Sequence, residues 1–485
     1  MSEVTVLPKG QVMRRTQSAR GGRSRAMLER FIKPVPGVAE RLAAGKALRL
    51  EVPRESLGAF QLPPRRKDPV GILEGQARTR LPQLIPVRYA RMLTSPFAFL
   101  RGSAAVMAQD LSGSPVTGIM VQACGDMHLS NFGVFASAER NLVFGINDFD
   151  ETLPGPWEWD IKRLVASIVV AIRFLGGNRG VAEEAARSAV SSYRERMRGY
   201  AEMGYLQLRY ANIKDNDVLA FLSPELRKKA EQIFAKAKKR GHLQVLEKMT
   251  SLVDDKQRII EEAPLIVRET RTQKGRPIAE AVGLVLEEYV SSLAHDRQVL
   301  VSNYRLVDVA RKVVGVGSVG TRCWVLLLKG ANEADPLFLQ YKEAPPSVLV
   351  PYFKTQKFNN EGRRVVEGQR LIQAAPDIFL GWGEFDGHDF YMRQLRDMKG
   401  GLEFDPDNWR PKGMQEYSML CGWALALAHA KSGDAAMIAG YVGKSEVLDD
   451  ALATFAFAYA DQTERDFEAL NKAAREKRIV VASKF

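Results

Sequence analysis

Between Cys124 and Asp150 the chain carries two short polar segments separated by an apolar run: Cys124-Gly-Asp-Met-His-Leu-Ser-Asn131, then Ile146-Asn-Asp-Phe-Asp150. The pattern is G-D-x-H-x-x-N followed by D-F-D. Leu142 to Ile146 reads as a strand that delivers Asp148 to the same place. A fold that honours both segments must set a carboxylate, a carboxamide and a second carboxylate on neighbouring tight loops. Asp, Asn and Gly are ordinary turn residues, but chance rarely supplies both halves at this separation. Phosphoryl transfer from a magnesium nucleotide needs such a set: one Asp orients or deprotonates the acceptor hydroxyl, while an Asn and another Asp hold Mg²⁺ against the phosphates. Asp126 is the expected base, Asn131 and Asp148 are the expected metal ligands, and Asp150 is a candidate second carboxylate.

A second constellation lies far downstream. Lys312 to Leu328 contains G-x-G-x-x-G at Gly315, Gly317 and Gly320. That signature alone is weak. A dinucleotide site needs a helix to start at the third glycine, whereas Cys323-Trp-Val-Leu-Leu-Leu328 is a short apolar run rich in strand formers. The glycines therefore read as the turn of a hairpin, with Gly315, Gly317, Ser318 and Gly320 covering phosphates, as in the glycine hairpin of kinases. After a turn at Asn332 to Pro336, Leu337 to Ala344 reads as a strand carrying Lys342, in the position of the kinase lysine that contacts the α/β-phosphates. Glu361 to Ala375 reads as a helix stopped by Pro376, with Val365, Val366, Leu371 and Ile372 as its apolar positions. Glu367 on that helix is the expected ion-pair partner of Lys342, the alternative being a solvated pair with Arg363. Phe390 to Leu395 reads as a strand entering an adenine-contacting hinge.

Cys124 to Asn131 and Asp148 to Asp150 resemble the catalytic loop and metal segment of aminoglycoside phosphotransferases and related kinase-like enzymes. The resemblance places His128 among the catalytic residues. It extends into Gly155-Pro-Trp-Glu-Trp-Asp160-Ile-Lys-Arg-Leu164, similar to the segment that opens the next helix there, and implies that Asp160 is a buried carboxylate bracing the catalytic-loop backbone. From about Arg88 to the C-terminus the chain resembles the bacterial domain of unknown function 2252 family. Two residues depart from the pattern. Cys124 stands where relatives have His. Asp150 stands where protein kinases have the Gly of D-F-G, which suits a small-molecule kinase or a second metal carboxylate.

The order of motifs is inverted relative to ordinary kinases, in which the glycine hairpin comes first. The expected fold is thus α/β (α+β): a two-lobed, protein-kinase-like fold, circularly permuted, with a helical insertion. Permutation is undemanding where the original termini lie close together and the break falls in an exposed loop. Residues 1–66 form a basic tail and linker, 67–302 the large-lobe portion with the insertion, 303–400 the small nucleotide-binding lobe, and 401–485 the helices completing the large lobe. Glu416 to Ala430 is apolar almost all round, as in a buried helix, and fits the helix that normally precedes the catalytic loop. Gly433 is its expected cap. His429 reads as a helix-terminal residue, and Asp434 as either a loop residue or one approaching the site. Glu183 to Met203, Pro224 to Lys239 and Ile278 to Leu300 read as helices within a mostly helical stretch from Val181 to Ser302.

The net charge of +13 favours acidic partners such as nucleotides or phosphorylated metabolites. Much of it sits in Met1 to Arg30, which has little to bury and is expected to be disordered. Nucleic acid is a less favoured partner for that tail, because no aromatics interleave the arginines. Pro63 to Pro69 reads as a linker, and the chain is expected to become foldable from Leu84. Arg88, Arg91 and Arg101, ahead of the catalytic loop, are candidates for an anionic substrate or phosphate. Arg227 to Arg240 forms a basic cluster that reads as a solvated face. Three widely spaced cysteines suit reduced thiols and a cytoplasmic setting. No C-x-x-C or His pair points to structural zinc, and the apolar run Leu164 to Ile172 is too short to span a bilayer. The expected activity is ATP- and Mg²⁺-dependent phosphotransfer to a hydroxyl-bearing acceptor. Adenylyl transfer on the same residues, or a nucleotide-binding pseudokinase with a regulatory role, are the alternatives.

Overall fold

Register explains how the two polar segments meet. In a computed structural model of the chain, β1 (Met120–Ala123), β2 (Phe132–Ala136), β3 (Leu142–Ile146) and β4 (Leu153–Pro156) form two short antiparallel pieces, β1 with β4 and β2 with β3. β5 (Ile213–Lys214) extends the second. The G-D-x-H-x-x-N segment links β1 to β2, and D-F-D links β3 to β4. Phe132 lies opposite Ile146, so the loops emerge side by side, and the Asn147 N–H donates to the Asn131 carbonyl at 2.8 Å. The structure describes residues 27–29, 31–239, 242–253, 256–272, 274–354, 358–373, 375–395, 398, 400–401, 404 and 413–483. The segment Met1 to Arg30 therefore lies almost wholly outside the described residues, as does Arg240 of the basic cluster.

Downstream, β6 (Thr250–Val253) pairs with β7 (Lys256–Ile259). A six-stranded antiparallel sheet is then built from β8 (Ile266–Val267), β9 (Arg305–Lys312), β10 (Cys323–Lys329), β11 (Pro336–Glu343), β12 (Gly381–Phe385) and β13 (His388–Gln394). Its order is β12-β13-β11-β10-β9-β8. β11 is buried along all eight residues, as an apolar central strand should be. Lys342 sits opposite Cys323 on one side and Tyr391 on the other. The chain is a mixed helix-and-strand protein.

The rest is helical. Trp157–Phe174 is buried along almost its whole length. Met414–Ser432 packs against Arg179–Ala201 so closely that a Cβ on Gly422 would lie 2.1 Å from the Ala189 carbonyl oxygen. Small residues permit this approach, and the apolar faces exclude water from the junction. No helix among the described residues is long and apolar enough to cross a membrane.

Three expectations are corrected here. Folded structure begins well before Leu84: the helix Val38–Ala47 packs on Ala435–Val442, and a Cβ on Gly45 would meet the Met437 carbonyl oxygen at 2.0 Å. Nor is Pro63 to Pro69 a loose linker, since Arg66 ion-pairs with both Asp110 and Asp466, at 2.6 and 2.5 Å. Second, Ile278 to Leu300 is two helices, Ile278–Ser291 and His295–Ser302, with Ser292 capping back onto Tyr289. Third, the apolar residues packed on the six-stranded sheet begin at about Val245 rather than 303, because Val282, Val285, Tyr289 and Val301 cover one face and Val245, Leu246, Met249 and Ile259 the other.

Candidate functional site

The loop Cys124–Asn131 is tied down from the helix behind it. Asp160 is 1 % exposed and accepts the Cys124 N–H at 2.6 Å and the Gly125 N–H at 2.9 Å. Behind it, His429 Nε2 lies 3.3 Å from Asp160 Oδ2 and His429 Nδ1 lies 2.9 Å from the Tyr193 hydroxyl. His429 is thus a buried support for Asp160. The Ser167 hydroxyl on the same helix accepts the Leu129 N–H at 3.0 Å. Gly125 has φ +76°, and a Cβ there would fall 2.5 Å from the Glu151 carbonyl oxygen; only glycine allows both the turn and the contact. Asp434 is not part of this arrangement. It caps Ala435–Val442 through the Met437 N–H at 3.0 Å and pairs with Arg41 at 3.1 Å.

Asp126 projects from this braced loop. Its Oδ1 accepts from Arg163 Nε at 2.6 Å, and Arg163 Nη2 makes a second close contact. Its Oδ2 lies 3.8 Å from His128 Nε2. Burial pushes the Asp126 carboxyl pKa up, Arg163 pulls it back, and Asp148 adds to the rise. Burial, with Arg101 and Arg163 nearby, lowers the His128 pKa well below the usual imidazole range, so the ring is neutral. Asn131 donates its amide N–H to the Asp126 carbonyl at 2.5 Å. Arg163 was missed in the sequence; the signal was a cation at i+3 from Asp160, on the helix face that carries the loop's support.

The D-F-D segment carries the contacts to the distant glycine hairpin. Asp150 is held on both oxygens: Lys342 and the Ser318 hydroxyl (3.0 Å) reach Oδ2, and the Tyr391 hydroxyl reaches Oδ1 at 2.7 Å. Burial opposes its ionisation, but Lys342 and these hydrogen bonds outweigh that and hold its pKa low, while Lys342 is held high in return. The Asp150 N–H donates to Asp148 Oδ1 at 3.2 Å. Gly315 to Gly320 is the connection between the antiparallel strands β9 and β10, with φ +63° at Gly315 and +92° at Gly320. No helix begins at Gly320, so the dinucleotide-binding alternative is set aside. The loop is fastened from the other side by Arg91 Nη1 to the Gly315 carbonyl, Arg80 Nη1 to the Val319 carbonyl, both 2.5 Å, and the Leu81 N–H to the Gly320 carbonyl at 2.8 Å.

Glu367 does not steady Lys342. It pairs with Arg363 at 2.7 Å on the outer face of Glu361–Ile372. The helix instead turns Arg364, Val365, Gly368 and Ile372 inward. Arg364, fully buried, donates to the carbonyls of Asp150 and Pro345, each at 2.9 Å, and of Thr152 at 2.7 Å. The contact between this helix and the site is therefore an arginine clamping the D-F-D backbone, and the lysine's counter-ion is Asp150.

Asp126, His128, Asn131, Asp148 and Asp150 line one cleft with Gly315, Gly317 and Ser318, and Lys342 joins it through Asp150. Among the described residues no group of three or more His, Cys, Asp or Glu is disposed to hold a metal ion. The expected ligand pair includes a carboxamide. Asn131 and Asp148 line the same cleft, and an amide oxygen beside a carboxylate is a donor set that suits a hard cation such as Mg²⁺. Glu151 also lines the cleft and accepts the Val348 N–H at 2.7 Å. Burial, with Asp126 and Asp150 nearby, raises its pKa from 4.5 to about 7, against the pull of Arg364 and that hydrogen bond. A raised carboxyl pKa means the folded state binds the extra proton, so this group's contribution is full below 4.5 and is lost as pH rises to about 7. Glu151→Gln keeps the hydrogen bond and removes the titration. Its melting temperature should gain on the wild type as pH goes from 5 to 8; parallel curves would exclude this role.

A family model described as "uncharacterized protein conserved in bacteria (DUF2252)" matches residues 80–473. No curated protein and no solved structure matches the chain.

Proposed function

For this chain, which belongs to the DUF2252 family of bacterial proteins, we propose an ATP- and magnesium-dependent phosphotransferase of kinase-like, circularly permuted fold, acting on a hydroxyl of a small-molecule acceptor. The observation that carries this reading is the meeting of two motif groups far apart in sequence. Lys342 and Ser318 bind Asp150 from 192 and 168 residues away, on the cleft that Asp126, Asn131 and Asp148 line. The permuted order is supported by the last third of the chain. Glycine hairpin, lysine strand, helix and return strands follow the catalytic loop, and the helix Met414–Ser432 then lies against that loop, the Tyr417 hydroxyl donating to the Leu129 carbonyl at 3.1 Å.

The chemistry assigned to the residues is as follows. Arg163 fixes Asp126 through Oδ1, which leaves Oδ2 for the acceptor hydroxyl. As the acceptor oxygen bonds to the terminal phosphorus, its proton passes to Asp126, the bond from that phosphorus to the bridging oxygen breaks, and ADP leaves with the electron pair. A carboxyl pKa raised by burial makes Asp126 a better base than a solvated carboxylate. Neutral His128 adds no competing cation beside it. Backbone N–H groups of Gly315 to Gly320 and the Lys342 ammonium bind phosphate oxygens. Asn131 and Asp148 would hold magnesium, which would supply charge neutralisation on the transferring group.

The test is incubation with Mg-ATP labelled at the α or the γ phosphorus, followed by addition of a metabolite extract. Transfer of the γ label to a small molecule is the expected result. Transfer of the α label would replace this reading with adenylyl transfer. Tight ATP binding with neither label moved would favour a regulatory pseudokinase.

A further inference from the structure

Arginines inside a protein normally face a carboxylate, because a desolvated cation without a counter-ion is costly. Here Arg163, Arg194, Arg311 and Arg364 are buried, and each ion-pairs with a carboxylate. Arg88 breaks the pattern. It is 0 % exposed and has no carboxylate partner among the described residues. Its guanidinium donates only to the neutral oxygens of Gln76 (2.8 Å), Gly102 (3.2 Å) and Leu73 (3.4 Å), and its Nε has no partner. Arg101 likewise has no ion pair or side-chain hydrogen bond among the described residues, and its buried Nε is unpartnered. Among the described residues Arg80 donates only to the Val319 carbonyl. All three line the cleft that holds Asp126 and Asp148.

We propose that Arg80, Arg88 and Arg101 form an oxyanion site on the acceptor side of this cleft, so that the acceptor carries a phosphate group in addition to the hydroxyl it presents to Asp126. This rests on the phosphotransferase reading. Burial lowers the pKa of all three guanidinium groups, while Glu151, Glu343 and Asp150 act back on Arg80, and Asp126 and Asp148 on Arg101; arginine stays protonated, so three cations line the cleft with no direct ion pair among the described residues. Arginine forks match phosphate oxygens in pairs. The nucleotide phosphates already have the glycine hairpin and Lys342. Arg101 stands next to Asp126, whose charge acts on it, and its carbonyl oxygen lies 3.2 Å from where a Cβ on Gly317 would be.

The probe is inorganic phosphate, titrated calorimetrically into the full chain saturated with MgADP, which fills the nucleotide side. Wild type is expected to bind it. Arg101→Gln should weaken that binding roughly 10- to 100-fold, the loss of one charge-assisted contact, and Arg101→Lys should recover part of it. MgADP affinity and melting temperature should be unchanged in both, since the Arg101 side chain makes no hydrogen bond among the described residues. Absence of phosphate binding to the wild-type MgADP complex overturns the proposal. So does a matching loss of MgADP affinity in Arg101→Gln, which would give the arginines to the nucleotide. Should MgADP itself not bind, the phosphotransferase reading fails. Phosphate binding by the free protein, lost in Arg101→Gln, would still establish the anion site.

Discussion

Asp126→Asn is expected to lower turnover by roughly 10²–10⁴, the range for a lost general base, while MgATP affinity barely changes. Asp148→Asn is expected to lose both, because it removes a ligand from the metal that carries the nucleotide. The structure adds a complication. Arg163 is 3 % exposed and has Asp126 as its carboxylate partner, so Asp126→Asn strands a buried cation at a cost of about 1–3 kcal/mol. A fall in activity could then reflect unfolding. The double variant Asp126→Asn/Arg163→Gln removes the stranded charge and should recover stability without recovering turnover. Each protein is measured by calorimetric titration of MgATP, thermal melting, and turnover on the acceptor found by label transfer. Equal loss of MgATP affinity in the two single variants would rule out the division of roles.

What the sequence disclosed was local. The strand Leu142–Ile146, the hairpin setting of Gly315 to Gly320, the strand bearing Lys342 and the helix around Glu416 to Ala430 each follow from periodicity and turn chemistry within a few residues. What it hid was set by long-range packing. Arg364 lies on a short helix whose apolar positions in the sequence, Val365, Val366, Leu371 and Ile372, leave the phase open. Leu371 turns out exposed while Arg364 is buried against carbonyls of the D-F-D segment. The same ambiguity made Glu367 look like the lysine's partner. Arg66 was hidden for a related reason: a charged residue between prolines looks like linker, and only the fold brings Asp110 and Asp466 to it. The break at Ser292 to Ala294 carries no Pro or Gly to mark it.

Asp160→Ala should have the largest effect on stability. Asp160, itself 1 % exposed, accepts the backbone N–H groups of Cys124 and Gly125 and faces a buried His429. Each donor left unsatisfied costs about 1–3 kcal/mol, and the set is expected to total on the order of 3–5 kcal/mol. A domain is stable by only about 5–15 kcal/mol, so this is a large share. Asp160→Asn is not a benign substitute. One carboxamide oxygen can keep one N–H, but the amide group then presents its own donors to the other. The expected order of melting temperature is wild type, then Asn, then Ala. Hydrogen exchange locates the cause, since the amides of Cys124 and Gly125 should lose protection in both variants before the helix Trp157–Phe174 does. His429→Gln should shift melting less than Asp160→Ala, because it removes the support and leaves the acceptor. An Asp160→Ala protein that melts with the wild type would mean that Ser167 and the Tyr417 hydroxyl suffice to hold the loop. The position of Asp126 would then have to be explained by Arg163 alone.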